Sequence, residues 1–521
     1  DGTGGPWYRA DVGVLGGRIA CVGNLKDVAA VVDVDAAGKV VAPGFVDTHS
    51  HCDLVILSDP QATFKLAQGI TTEVIGQDGL GVAPVAPEAR ETWRDMVSGL
   101  TGDPAVAWTW SSLGQFLEEV ERAKPATNVA CLAGYGPLRV SVAGFGKGNL
   151  ADDALERVQS LFTASLEEGA CGLSWGMVYF PCFYSCDEEM VALGRMMASK
   201  GLPMVIHLWS ESRRLMESLQ RAVGIARSAG IPLHVSHLKC AGKTTWGKAA
   251  DALEILQRAR ESGVEVTFDQ YPYTEGSTTA LAMLPPWVLE GGADKAMERL
   301  SDERMAEMVK RDIAADGWAF SESAWENDIA LTGWDGLTIA WVKSDRNKWC
   351  EGKTLTEIGA ALDLDPCDAF IGLLVEERGA VTVIEALMNE DDVVTLMRSG
   401  LHMLATDGIP AGKPHPRLAG SFPRFIGRYS LRRGVVRLEE AIRHVTSAPA
   451  ARVGLWDRGL IRPGMAADIV VFEESQFLDR NTFDDPTAAP SGLKLVLVNG
   501  AVALADGRCT GIRNGKVLRP R

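Results

Sequence analysis

The chain has 521 residues, 46% hydrophobic and 23% charged, with a mean hydropathy near zero, a composition typical of globular proteins and unlike that of disordered ones. Its 52 basic and 68 acidic residues give a formal charge of -16, which disfavours nucleic acid and anionic membrane as partners and leaves small molecules. Ten cysteines without a C-x-x-C pair, no apolar run near the roughly 20 residues that span a bilayer, and no signal-peptide pattern make the cytoplasm the expected compartment.

Residues 1–38, with "ADVGVLGGRIACVG", read as short strands broken by glycine turns. From residue 39 to about 275, β-branched runs alternate with helical patterns. The expected strands are "KVVAPGFVDTH", "TTEVIG", "NVACLAGY", "ACGLSWG", "PMVIHLW", "PLHVSHLK" and "EVTFDQYPY", and an eighth, "HMLATDG", follows residue 400. Segments such as "DDALERVQSLFTASLEEG" and "WGKAADALEILQRARESG" have helical periodicity, and the second ends on a glycine suited to a C-cap. Eight strands alternating with helices predict an α/β fold of the (β/α)8 TIM-barrel type over residues 44–454.

Between the seventh and eighth strands, residues from about 278 to 350 are expected to form an inserted subdomain over the barrel mouth. It contains "ADKAMERLSDERMAEMVKRDI", read as helical. Its tryptophans, Trp287, Trp318, Trp325, Trp334, Trp341 and Trp349, are expected mainly to pack within it. Residues 455–521 again read as short strands, and with residues 1–43 they are expected to form one small β-sandwich.

In such a barrel the chemistry sits at the C-terminal strand ends. The first strand ends with His49 and His51, the fifth with His207, the sixth with His237 and the eighth with Asp407. Side chains two apart on a strand share a face, and imidazoles with carboxylates are the ligands that zinc and similar ions take. By the same alternation Lys239 faces the mouth, whereas His234 faces the helices and is structural. Asp78, between glycines after the second strand, faces the first-strand histidines as a candidate third or bridging ligand, and Glu73 points away. His402 is expected to be a packed residue and His444 surface or core, while His415 is left undecided.

Together, "VAPGFVDTHSH", "QGITTEVIGQDG", "VSHLK", "YPYTEGST", "TDG" followed by "KPHPRLAGSFPR", and "TSAPAARVGLWDRGLIRPGMAADIVVF" resemble the N-acyl-D-amino-acid deacylases (D-aminoacylases) of the amidohydrolase superfamily. The resemblance implies the barrel with its sandwich, and zinc, one or two ions, held by His49, His51, His207, His237 and Asp407. Asp78 stands where the family has a metal-binding cysteine, which exchanges a thiolate for a harder ligand. The same matching implies that Arg417, Lys239, Tyr271 and Ser277 hold the substrate's carboxylate. Trp209 replaces an expected arginine and is expected to make an aromatic wall near the metal, with Tyr179 as a further donor to the reacting carbonyl.

The implied reaction is amide hydrolysis, with Asp407 as the proton carrier. A cyclic amidase is the alternative; those relatives usually bridge their metals with a carboxylated lysine on strand four, which "ACGLSWG" does not offer. A catalytically inactive scaffold relative is the reading from another class. Whether the chain acts alone or as a homodimer is left open by the sequence.

Overall fold

The computed structural model describes residues 1–315 and 325–520; Trp318 lies outside them. In chain order, β1 (Asp11–Leu15) and β2 (Arg18–Gly23) make an antiparallel hairpin. The expected first strand is divided. Its first half, β3 (Val40–Pro43), joins an antiparallel sheet, and its second, β4 (Phe45–Asp47), starts the parallel one. Gly44 separates them, and a Cβ there would lie 2.2 Å from Thr71 Oγ1, so only glycine lets the chain pass so close to its neighbour.

The parallel strands follow: β5 (Ile70–Ile75), β6 (Asn128–Cys131), β7 (Ala133–Gly134), β8 (Leu173–Gly176), β9 (Met204–His207), β10 (Leu233–Val235) and β11 (Val266–Gln270). β4, β5 and β6 pair in that order, and β7 to β11 pair in sequence. Only Leu132 lies between β6 and β7, and its N–H donates to Ile75 O at 2.9 Å. Helices fill the crossovers. Asp152–Glu168, for example, carries Asp152 and Asp153 in its first turn, buries Val158, Phe162 and Leu166, and stops at Gly169 with φ 114°. Acids at the start of a helix and a left-handed glycine after its end satisfy its dipole and its last carbonyls.

After β11 the chain leaves the parallel sheet. β12 (Glu275–Thr279), β13 (Leu337–Val342) and β14 (Val381–Ala386) form a separate antiparallel sheet with β14 in the centre, so this unit runs past the expected limit at 350. The segment expected as one helix is two, Ala293–Ser301 and Glu303–Ala314, because Asp302 turns the chain and accepts from Met305 N to cap the second. Trp325 and Trp341 are buried, Trp334 packs on Phe370, and Trp287 donates to Asp312.

β15 (His402–Leu404) then returns to pair with β11. Just beyond it, Gly408 makes a parallel bridge to Ser50, and Asp407 N donates to His49 O at 2.9 Å. The last parallel strand therefore lies beside the first. β16 (Ile469–Phe472), β17 (Leu493–Val498), β18 (Ala501–Ala505) and β19 (Arg508–Cys509) complete the antiparallel sheet that contains β3. Asp468, bonded to Arg458, Asn499 N and Asn128 at the start of β6, ties this sheet to the parallel strands. All ten cysteines are free thiols, and among the described residues no helix is long and apolar enough to cross a membrane.

One buried cation locks the first and last parallel strands together. Lys65 Nζ donates to Asp47 Oδ2 at 2.6 Å, Ser50 Oγ at 2.9 Å and Thr406 Oγ1 at 3.1 Å, with Glu73 3.6 Å away. Lys65, Asp47 and Glu73 are fully buried, so removing the lysine strands two carboxylates without their countercharge. Lys65→Met is expected to destabilise the protein by about 3–5 kcal/mol in chemical denaturation; a cost below about 1 kcal/mol would contradict this role.

Candidate metal centre

The candidate ligands leave the C-terminal ends of five parallel strands. His207 is the last residue of β9, whereas the others lie just beyond their strands: His49 and His51 after β4, Asp78 after β5, His237 after β10, and Asp407 after β15. Asp78, His237 and Asp407 have φ of 54°, 33° and 47°. Left-handed backbone at a non-glycine residue is uncommon and costs energy, and here it recurs at three side chains that turn toward one point.

These side chains form two groups whose donor atoms lie within 4.8 Å of one another, His49, His51, Asp78 and Asp407 in one, and Asp78, His207 and His237 in the other. Asp78 belongs to both. Its Oδ2 lies 3.2 Å from His49 Nε2 and 3.4 Å from His51 Nε2, and its Oδ1 lies 3.5 Å from His237 Nε2. Asp407 Oδ1 is 3.2 Å from His51 Nε2, and His207 Nδ1 is 2.9 Å from His237 Nε2. All six are buried. Glu73 lies apart, accepting from Ser50 and Thr127.

The electrostatics favour a cation. For Asp407, burial opposes ionisation, yet the Arg417 guanidinium and then His49 hold the carboxyl well below its usual range. Burial would lower His51, but Asp407 and Asp78 outweigh it and raise it to about 9. His237 rises to about 10 against burial and Lys239, through Glu211 and Asp78. His207 falls to about 4, chiefly through burial. Carboxylates that pull protons onto neighbouring imidazoles offer the same attraction to a divalent ion. The donor set of four imidazoles and two carboxylates fits zinc or a similar ion.

Supporting side chains surround the donors. Glu211 Oε1 lies 3.0 Å from His237 Nδ1, and Asp269 accepts from His237 N at 2.6 Å while bonding His234 Nε2 at 2.9 Å. Such partners fix the orientation of ligating rings. His234 is thus structural. His402 pairs with His444 at 3.0 Å, and His415 Nδ1 accepts from Arg417 N at 2.9 Å.

A cavity opens beside the donors, lined in part by Tyr179, Lys239, Tyr271, Ser277 and Arg417. Tyr271 Oη and Ser277 Oγ are buried without a hydrogen-bond partner. Tyr179 Oη pairs with Thr278 Oγ1 at 2.9 Å. Two expectations need correction. Arg417 is not a free clamp: its Nη1 is 2.9 Å from Asp407 Oδ2, its Nη2 donates to Ser277 O at 2.8 Å, and its guanidinium stacks 4.3 Å from the Tyr271 ring centre. Trp209 is not among the residues lining the cavity; its ring lies under Arg221, 4.0 Å from the guanidinium, because β9 ends at His207 and strand alternation, which would have kept Trp209 on the face of His207, no longer applies beyond it.

The sequence reading missed the carboxylates Glu211, Asp269, Glu326, Asp328 and Glu385. Glu211 was discoverable as the acid four residues after His207, and Asp269 as a charge inside a strand. Glu385 lies in β14, a segment without an expected strand.

The family model described as "Amidohydrolase family" matches residues 33–504. The chain belongs to the amidohydrolase family. It is 32% identical to the N-acyl-D-glutamate deacylase of Alcaligenes xylosoxydans xylosoxydans, over 100% of this chain and 94% of that relative. A crystal structure of N-acyl-D-glutamate deacylase from Bordetella bronchiseptica, complexed with zinc and a phosphonate mimic of the tetrahedral intermediate, superposes with a TM-score of 0.82 at 32% identity, covering 100% of this chain and 97% of that one. A D-aminoacylase structure concerned with its binuclear metal centre superposes with a TM-score of 0.83 at 31% identity, covering 100% and 98%.

Because Asp78 is common to both donor groups, Asp78→Ala is expected to weaken zinc binding at every site seen by calorimetric titration. Even the loss of an outer partner costs a metal site about 10–100-fold in affinity. His51→Ala should weaken one site alone; an Asp78→Ala protein that binds zinc like wild type would remove Asp78 from the centre.

Proposed function

We propose that the protein is a metal-dependent hydrolase of N-acyl-D-amino acids, or of a related N-acyl compound with a free carboxylate. The observation that carries this reading is the pairing of the shared Asp78 centre with two buried, unpartnered hydroxyls, Tyr271 Oη and Ser277 Oγ, in one cavity. The resemblance and the relatives' names supply the N-acyl-D-amino acid. In this reading the parallel strands close as a (β/α)8 barrel over residues 44–454, supported by the Ser50 to Gly408 bridge. The terminal segments 1–43 and 455–521 make the β-sandwich, supported by the pairing of β3 with β16. The cytoplasm remains the expected compartment, supported by ten free thiols.

His49, His51, Asp78 and Asp407 would hold one divalent ion, and Asp78, His207 and His237 a second. Such an ion polarises a carbonyl and lowers the pKa of water from about 15.7 toward about 7. The protein's own groups do the rest. Asp407 Oδ1 faces the donors, while Arg417 on Oδ2 keeps the carboxylate from turning. Oδ1 of Asp407 takes the proton of the attacking water and returns it to the amide nitrogen as the C–N bond breaks. Tyr271 Oη and Ser277 Oγ donate to the substrate carboxylate beside the Lys239 charge. Burial, then the Asp78 charge, raises Tyr179 well above the usual phenol range; it stays protonated and can donate to the carbonyl oxygen as charge develops there. A cyclic amidase is less well supported, since among the described residues Lys239 is the one lysine lining the cavity and it pairs with Glu211.

Asp407→Asn is expected to lower kcat about 10²–10⁴-fold, the span of general acid–base catalysis, with the fold intact by circular dichroism. Near-normal turnover would remove Asp407 from proton transfer. A hydrolysis screen of the zinc-loaded protein over N-acetyl-D- and L-amino acids and hydantoins tests the substrate class: cleavage of the D-series supports it, and activity confined to the cyclic compounds overturns it.

A further inference from the structure

Beyond the donor carboxylates Asp78 and Asp407, the cavity lining is rich in acids. Glu211, Glu326, Asp328 and Glu385 all belong to it, against Lys239 and Arg417. Both cations are engaged: Lys239 Nζ donates to Glu211 Oε1 and Oε2 at 2.7 and 2.6 Å, and Arg417 pairs with Asp407. Glu326 is satisfied by Ser210 Oγ at 2.7 Å, Glu211 N at 2.9 Å and Ser212 Oγ. Asp328 and Glu385 remain. Glu385 is 4% exposed, and its Oε1 is buried without a hydrogen-bond partner. Among the described residues, neither carboxylate lies within salt-bridge distance of a lysine, arginine or histidine.

We infer that Glu385 and Asp328 form a subsite for a cationic side chain of the substrate, so that the preferred compounds are N-acyl derivatives of basic D-amino acids such as lysine, ornithine or arginine.

This inference rests on the deacylase reading and adds the side-chain class to it. A buried acceptor facing a cavity is costly until it is paired, and a charged donor is the partner that repays most. The placement fits one molecule. The position that a Cβ on Gly276 would occupy is 3.4 Å from Tyr271 Oη and 3.5 Å from Glu385 Oε2. The hydroxyl assigned to the substrate's α-carboxylate and the carboxylate assigned to its side chain thus flank the same gap, which glycine keeps open. Leu387, Ala241 and Ala282 line the cavity too and offer apolar contact to a methylene stem.

The acids also repel one another. Burial, opposed by Lys239 and reinforced by Glu211, pushes Glu385 up to about 7, and burial with Glu385 and Glu326 raises Asp328. An incoming ammonium or guanidinium relieves that repulsion, whereas an acidic side chain adds to it. A third metal ion is not favoured, because among the described residues the only groups whose donor atoms converge are the two that share Asp78.

The test is kcat/KM of the zinc-loaded protein for N-acetyl-D-lysine, its ammonium-free analogue N-acetyl-D-norleucine, and N-acetyl-D-glutamate. The lysine compound should exceed the norleucine compound by about tenfold or more, the worth of one charge-assisted hydrogen bond, and glutamate should be poorest. In Glu385→Gln, and separately in Asp328→Asn, the lysine-to-norleucine ratio should fall toward one, mainly through KM. A wild-type ratio at or below one overturns the inference whatever the variants do, as does a ratio unchanged in both folded variants. Hydrolysis of norleucine without preference for lysine sinks the subsite alone, whereas no hydrolysis of any N-acetyl amino acid sinks the deacylase reading with it.

Discussion

A single carboxylate with one oxygen turned toward each of two histidine groups is the constraint on which the rest of the structure depends. Asp78 reaches this position only because β5 ends at Ile75 and the chain then turns through left-handed backbone just beyond the strand. Buried imidazoles and acids at separations of 2.9 to 3.6 Å are expensive to keep out of water. A divalent ion converts that cost into coordination.

Much of the surrounding architecture serves to hold these donors still. Lys65 joins Asp47, at the end of β4, to Thr406, beside Asp407, and so couples the first and last parallel strands directly below the ligands. Asp269 spans His237 and His234. Arg417 holds Asp407 from the far side while its own plane is stacked on Tyr271. This last arrangement links the proposed proton carrier to the proposed substrate carboxylate site, so a change at either should be felt at the other.

Alternation along strands made the donors legible before any coordinates, because it depends only on local geometry: His49 with His51, and His237 with Lys239, are each two residues apart. The same rule, applied to strands expected one register too long, hid that His49 and His51 lie beyond β4 and that Gly44 splits their run between two sheets. Partners were less legible than faces. Nothing in the spacing of "KPHPRLAGSFPR" says that Arg417 meets Asp407, since that pair depends on how β15 returns beside β4. Glu385 was invisible for a different reason. Its segment, "VTVIEA", is a central strand of a small sheet, and a short apolar run of this kind does not separate strand from buried helix by periodicity. The acidic lining therefore emerged only from the fold.

The central claim is that imidazoles and carboxylates from five separate strands meet around cations with Asp78 between them. Anomalous diffraction at the zinc edge from crystals of the zinc-loaded protein tests it most directly. The account predicts anomalous density within coordination distance of Asp78 on the side of His49, His51 and Asp407, on the side of His207 and His237, or on both. Zinc bound only elsewhere, or these side chains turned apart in a well-ordered map, would contradict it.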